Sequence, residues 1–100
     1  MLNHVDRLAQ AKQRLPLLQM MSMLGDAAHA RHSAKCPFHE DRRNSFSVFQ
    51  GSSRGWFWKC HAGCGHGDPV DYLKLKFNLS TGDAIRRYCH LAGVRKHNTQ

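Results

Sequence analysis

Acidic side chains are scarce in this chain: 7 Asp and Glu stand among 100 residues, against 15 Lys and Arg, for a formal charge of +8 with the eight His counted neutral. So few carboxylates, scattered along the chain, supply no paired site for magnesium-dependent chemistry. Long apolar runs are also missing. The longest, around Leu15 to Leu24, is interrupted by Pro16, Gln19 and Ser22 and falls short of the roughly 20 residues a membrane span needs. No basic segment, apolar stretch and cleavage site open the chain. The expected address is therefore the cytoplasm, where thiols stay reduced and paired cysteines point to metal rather than to disulfides. Internal repeats, low-complexity tracts and interdomain linkers are absent as well. One hundred residues make a single domain whose core leaves little stability margin, so an added crosslink or metal would matter.

What is present is a cysteine pattern. Cys36 and His39 form a Cys-x2-His pair, and Cys60 and Cys64 form a Cys-x3-Cys pair, with a run of strand formers between them. Thiolate and imidazole are the ligands a structural Zn2+ prefers, and two short-spaced pairs at the ends of a hairpin can supply the four corners of a tetrahedron. One structural zinc is expected, with no open position for water or substrate. His61 and His66 compete for a corner. His61 directly follows Cys60, and neighbours in a turn seldom both reach one small ion; His66 would replace Cys64 only if the loop closed differently, and two thiolates suit zinc better. Cys89 lies on the inward side of a helix and reads as a buried structural thiol. His29 and His32 lack a short-spaced partner and read as solvated loop residues.

The rest of the chain supplies elements around this pattern. Leu2, Val5, Leu8 and Ala9 recur at near-helical spacing, which predicts a short amphipathic helix over residues 1–14. Pro16 suits the first position of a second helix over residues 16–24, with Leu17, Met20, Met21 and Leu24 as its apolar stripe and Gly25 as its stop. Residues 26–33 read as a surface loop and Ser33 to Lys35 as a short extended segment. A hairpin follows, Phe46-Ser47-Val48-Phe49 and Trp56-Phe57-Trp58-Lys59 around a Gly- and Ser-containing turn. Alternation puts Phe46 and Val48 on one face, Phe49 on the other, and Trp56 and Trp58 opposite Phe57. Which face is buried is left open. Asp68, Pro69 and Asp71 mark a helix start, with Val70, Leu73 and Phe77 as the expected buried stripe. Ser80 or Thr81 caps a last helix with Ala84, Ile85, Tyr88 and Ala92 inward, Arg86 and Arg87 outward, and Gly93 as its stop. The tail from Arg95 to Gln100 is polar. The fold class that results is α+β: a small zinc ribbon, a β-hairpin or antiparallel sheet with two knuckles, packed with flanking helices. Residues 1–100 are one domain, with a core over about 15–94 and an N-terminal helix over 1–14.

The excess of positive charge points to a polyanion as partner. Arg42, Arg43, Arg54 and Lys59 surround the aromatic residues Trp56, Phe57 and Trp58. Arg and Lys follow phosphates while exposed rings stack on unpaired bases, so single-stranded nucleic acid is the expected ligand. Arg42, Arg43, Arg54, Trp56, Trp58 and Lys59 are the candidate contacts.

Cys36-Pro37-Phe38-His39, Asn44-Ser45-Phe46-Ser47-Val48, Lys59-Cys60 to Cys64-Gly65, Gly67-Asp68 and Asp71-Tyr72-Leu73 together resemble the CHC2-type zinc-binding domain of bacterial and phage DNA primases, over about residues 15–94. The resemblance implies a zinc ribbon whose sheet contacts single-stranded template DNA, with Cys36, His39, Cys60 and Cys64 as ligands. Asn44 departs from the family's usual Pro, and the second knuckle has three intervening residues where two are usual. The family's polymerising core, with its acidic residues, is not in these 100 residues, so primer synthesis by this chain alone is not expected. The first expectation is a DNA-binding module of replication or of a mobile element, acting in trans with a DNA polymerase, primase core or helicase. A zinc-stabilised adaptor to a replication protein is the alternative, and a small metal-dependent nuclease or partial primase the third.

Overall fold

The computed structural model describes residues 4–52 and 55–94 of the chain, with side chains from Asp6 onward. Among these residues are four helices and one three-stranded antiparallel sheet: α1 (His4–Arg14), α2 (Leu17–Met23), β1 (Phe46–Gln50), β2 (Trp56–Cys60), β3 (Gly65–Gly67), α3 (Pro69–Phe77) and α4 (Thr81–Leu91). A single 3-10 turn, Ala27–His29, interrupts the passage from α2 to the sheet. The expected α+β architecture is the one observed. The N-terminal Leu2 and the tail from Arg95 lie outside the described residues.

The order of the sheet is β1-β2-β3. β1 and β2 pair as the hairpin pattern predicts, with Val48 opposite Trp58, Phe49 opposite Phe57 and Phe46 opposite Cys60. β3 is an addition that apolar alternation could not reveal, because it consists of Gly65, His66 and Gly67 and has no apolar side chain. It is held by backbone pairing to β2, with Gly67 opposite Trp58 and Lys59 opposite His66. Ala34 extends the other edge, exchanging two backbone hydrogen bonds with Phe46 at 2.8 and 2.9 Å.

The question of which sheet face is buried is settled by packing. Phe46, Val48, Trp58 and Cys60 join the core with Leu17, Met20, Met21, Tyr72, Leu73 and Tyr88. An aromatic cluster sits at its centre: Phe46 stacks on Trp58 at 5.8 Å, and Tyr72 meets Trp58 edge-on at 5.9 Å. Such pairs add about 0.5–1.5 kcal/mol each beyond the area they bury.

α3 begins with a full capping box. The Asp71 N–H donates to the Asp68 carboxylate at 3.0 Å and the Asp68 N–H donates back to Asp71 at 3.1 Å. Gly67, at φ +151°, makes this approach feasible, since a Cβ there would fall 2.1 Å from Asp71 Oδ2. Lys12 reaches Asp68 at 3.1 Å and ties α1 to the same cap. α4 is capped by Ser80, whose hydroxyl accepts from the Asp83 N–H.

Four expectations change in detail. Pro16 is the N-cap of α2 rather than its first helical residue. Asp26, read as a surface residue, is buried: Tyr72 Oη donates to it at 2.6 Å and Lys76 lies 2.9 Å away, so the loop is tied down onto α3. Tyr72 takes the core place expected of Phe77, because its hydroxyl finds that partner and its ring can then be fully enclosed. Phe77 is left 39% exposed, with the Arg87 guanidinium 5.1 Å from its ring. Ala92 is only partly covered, and Cys89, read as a buried thiol, is 1% exposed.

Candidate metal centre

Each ligand is delivered by a different piece of backbone. Cys36 lies two residues beyond the Ala34 bridge, and His39 comes from the turn that follows. Cys60 is the last residue of β2, and Cys64 directly precedes β3, across a tight turn in which the Gly63 N–H donates to the Cys60 carbonyl at 3.1 Å. One ligand atom from each of Cys36, His39, Cys60 and Cys64 lies within 4.8 Å of the other three. His39 Nδ1 stands 3.1 Å from Cys64 Sγ and 3.8 Å from Cys60 Sγ. Ligands about 2.0–2.3 Å from a tetrahedral zinc are about 3.3–3.8 Å from one another, close to the two separations from His39 Nδ1, and the remaining pairs need close in only slightly on an ion. All four cysteines are free thiols.

The three thiols stand in different electrostatic environments. Burial pushes the Cys36 thiol up to about 12 and raises Cys64, to which the neighbouring Cys60 adds. Cys60 itself is held below its ordinary value: burial acts to raise it, and the N–H groups of Cys64 and Ala62 outweigh that. A coordinated divalent ion deprotonates thiols outright. Three thiolates and one imidazole suit Zn2+ and leave no open coordination position, which is the arrangement of a structural site.

A model of the CHC2 zinc finger matches residues 2–100. The chain belongs to the CHC2 zinc-finger family. Curated relatives of this CHC2 zinc finger are DNA primases: that of Chlamydia trachomatis is 34% identical over 74 residues, covering 68% of this chain and 12% of the relative. The DNA primase of Helicobacter pylori is 33% identical over 89 residues, covering 86% and 15%, and that of Deinococcus radiodurans 29% over 72 residues, covering 72% and 12%. The chain thus spans about an eighth to a seventh of the length of these relatives. No solved structure matches. The family and the donor set together give the protein one structural zinc, which Cys36, His39, Cys60 and Cys64 would hold.

The residues expected from sequence to contact nucleic acid are distributed unevenly in this CHC2 finger. Arg42 and Arg43 are exposed in the loop after the first knuckle, and Lys59 is exposed on the outer sheet face. Trp56 is half-buried beside a cleft of about 620 Å3 that Lys12, Gln13, Pro16 and Asp68 also line. Arg54 lies outside the described residues. Trp58 is a correction: it is 2% exposed, its indole N–H donates to the Asp68 carbonyl at 3.0 Å, and its ring is enclosed by Phe38, Phe46 and Tyr72. Pairing with Val48 puts it on the core face, so it offers no free ring to a ligand. The two rival histidines stay apart from the thiols. His61 Nε2 is 3.2 Å from the Ser47 hydroxyl, and His66 is exposed across from Lys59.

Two contributors were not singled out from sequence. Phe38 sits between the ligands of the first knuckle and drives its ring into the core, 4.9 Å from Tyr72 and 5.2 Å from Trp58. Its signal was an aromatic residue inside an otherwise polar turn. Asp41 closes the same loop by accepting hydrogen bonds from Cys36, Arg43 and Ser45. An acidic residue is common in turns, and only the folded loop shows how many N–H groups converge on it.

Proposed function

We propose that this zinc finger binds single-stranded DNA on the outer face of its sheet and serves DNA replication in trans with a primase core, polymerase or helicase. The observation that carries the reading is the composition of that face. Phe49 and Phe57 stand side by side with ring centroids 6.3 Å apart, Phe49 being 37% exposed. The neighbouring cross-strand row is Ser47, Lys59 and His66. Exposed rings that stack on bases beside groups that meet phosphates are the usual equipment for unpaired nucleic acid. Trp56 lies on the other, core-side face of β2 beside its cleft and does not belong to this outer surface. Arg42 and Arg43 extend the positive charge beyond the first knuckle. The relatives' name, DNA primase, agrees with a single-stranded template as ligand.

In this reading the zinc is a scaffold and not a reaction centre. Among the described residues the Cys3His cluster is the one group of three or more His, Cys, Asp or Glu positioned to hold a metal, and four protein ligands leave zinc no place for a reactant. Template, ribonucleotides and Mg2+ should yield no primer with this chain alone.

The test is anisotropy of short labelled single strands across a salt series. Log affinity should fall against log salt with a slope of about −0.7 for each phosphate neutralised. Phe57→Ala should weaken binding about 5- to 150-fold, the loss of one stacked base, and Lys59→Ala should reduce the salt slope. Affinity indifferent to salt and to both substitutions would overturn the proposal. The adaptor reading rests on a separate observation, the exposure of Leu75 (42%) and Phe77 (39%) on α3. It requires Leu75→Ala to abolish binding to a replication protein while the DNA affinity is retained.

A further inference from the structure

Asp41 is a carboxylate with little access to solvent, 9% exposed, in a loop whose neighbours Glu40, Arg42 and Arg43 are all exposed. Burying an ionised carboxylate is costly unless its lone pairs are filled, and here they are. Oδ2 accepts from the Cys36 N–H at 2.9 Å and from the Ser45 N–H at 2.6 Å. Oδ1 accepts from the Arg43 N–H at 2.9 Å and from the Ser45 hydroxyl at 3.1 Å.

The geometry adds a contact that loop closure does not need. His39 Nε2 lies 3.8 Å from Asp41 Oδ1, while the other ring nitrogen, Nδ1, faces the sulfurs of Cys64 and Cys60. A neutral imidazole carries its proton on one nitrogen and a lone pair on the other, and the partner of the first decides which nitrogen is free to ligate. At 3.8 Å the Asp41 carboxylate is beyond hydrogen-bond length of Nε2 and acts through its charge, which favours the proton on that nitrogen and leaves Nδ1 for the metal.

We propose that Asp41 is a positioning residue of the metal centre: it holds His39 in the tautomer that ligates through Nδ1 and fixes the backbone of Cys36, so that both ligands of the first knuckle are kept in place around the metal. The anchoring continues to the second knuckle, because the Ser45 carbonyl that follows the clamp accepts the His61 N–H at 2.7 Å, next to Cys60. Asp41 thereby links both ligand pairs through one short path. Residues that orient metal-bound histidines are commonly worth 10–100-fold in metal affinity.

Two measurements on the zinc-loaded full chain decide this. Long-range proton–nitrogen NMR of the wild type should show His39 metal-bound at Nδ1 and protonated at Nε2; ligation through Nε2 would overturn the proposal and requires no variant. Zinc transfer to a chromogenic chelator should then be about 10–100 times faster in Asp41→Ala than in wild type. Asp41→Asn, which keeps an acceptor oxygen but not the charge, should recover part of the difference. Ser80→Ala is the control for general destabilisation, since it removes the cap of α4 and touches neither knuckle. Release from Asp41→Ala no faster than from Ser80→Ala would mean that Asp41 merely closes a loop, and the inference would fail. DNA binding does not enter either measurement, so the outcome is independent of the proposed function.

Discussion

Side chains of one chemical type have different jobs here, and substitutions should separate them. Trp58 and Phe57 are sequence neighbours on opposite faces of β2: one is enclosed by Phe38, Phe46 and Tyr72, the other pairs with Phe49 on the outside. Trp58→Ala opens a cavity in the core and should cost about 3–5 kcal/mol, read as a lowered urea midpoint for the zinc-loaded protein. Phe57→Ala should leave that midpoint nearly unchanged while weakening the proposed DNA binding. Equal stability losses from the two would contradict the assignment of faces. The same contrast applies to the thiols. Cys60→Ser takes a ligand from the metal and should abolish stoichiometric zinc binding, whereas Cys89→Ser, in a helix away from the cluster, should retain one zinc per chain, both by metal analysis.

The elements are joined at the start of α3, where Asp68 caps the helix, pairs with Lys12 of α1 and accepts the Trp58 indole N–H at its carbonyl. Burial acts to raise the Asp68 carboxyl, but the Asp71 N–H and the Lys12 ammonium outweigh it and hold the group below its ordinary value. A depressed folded value gives stability that is fully present above the unfolded pKa of about 3.9 and lost as pH falls through the folded one. Asp71 is shifted the opposite way, raised by burial and then by the Asp68 charge, so it offsets part of the slope. Asp68→Asn keeps a capping oxygen without the titrating charge. Wild type should therefore melt higher at neutral pH, and the gap in melting temperature should close below about pH 4. A gap that stays constant through that range would place the stabilisation in the hydrogen bonds alone.

At the scale of the whole molecule, zinc joins segments that the sheet and helices hold only in part. Cys36 and Cys60 are buried members of the hydrophobic core as well as ligands, and Phe38 carries the first knuckle into the aromatic cluster. Metal binding and folding are then one event, with an apparent 10–16 kcal/mol available from structural zinc in small fingers at neutral pH, about the size of the whole stability of a small domain. Chelation should melt the helical circular dichroism and shift the tryptophan emission, from Trp56 and the buried Trp58, to the red together, and added zinc should restore both. Retention of the folded spectra in metal-free protein would overturn the structural role.

The ligand residues were legible in the sequence because coordination chemistry restricts both the residue types and their spacing, and the helix ends were legible because Pro16, Gly25, Asp68, Pro69, Ser80 and Gly93 act through local backbone geometry. The hairpin was legible through alternation, which shows that two faces exist. Alternation is symmetric, however, and does not say which face is wet: that was decided by Tyr72, Leu17 and Met20 packing on the Phe46 side. Tertiary contact also placed Tyr72 rather than Phe77 in the core, by supplying Asp26 across 46 residues of sequence as the partner for a buried hydroxyl. It added β3, whose glycines carry no apolar signal and pair only through backbone. The metal-binding chemistry could be read from the chain alone, because residue type and spacing are local properties. Which aromatic rings and which charges face solvent had to come from the fold, because burial depends on partners brought together from distant parts of the chain.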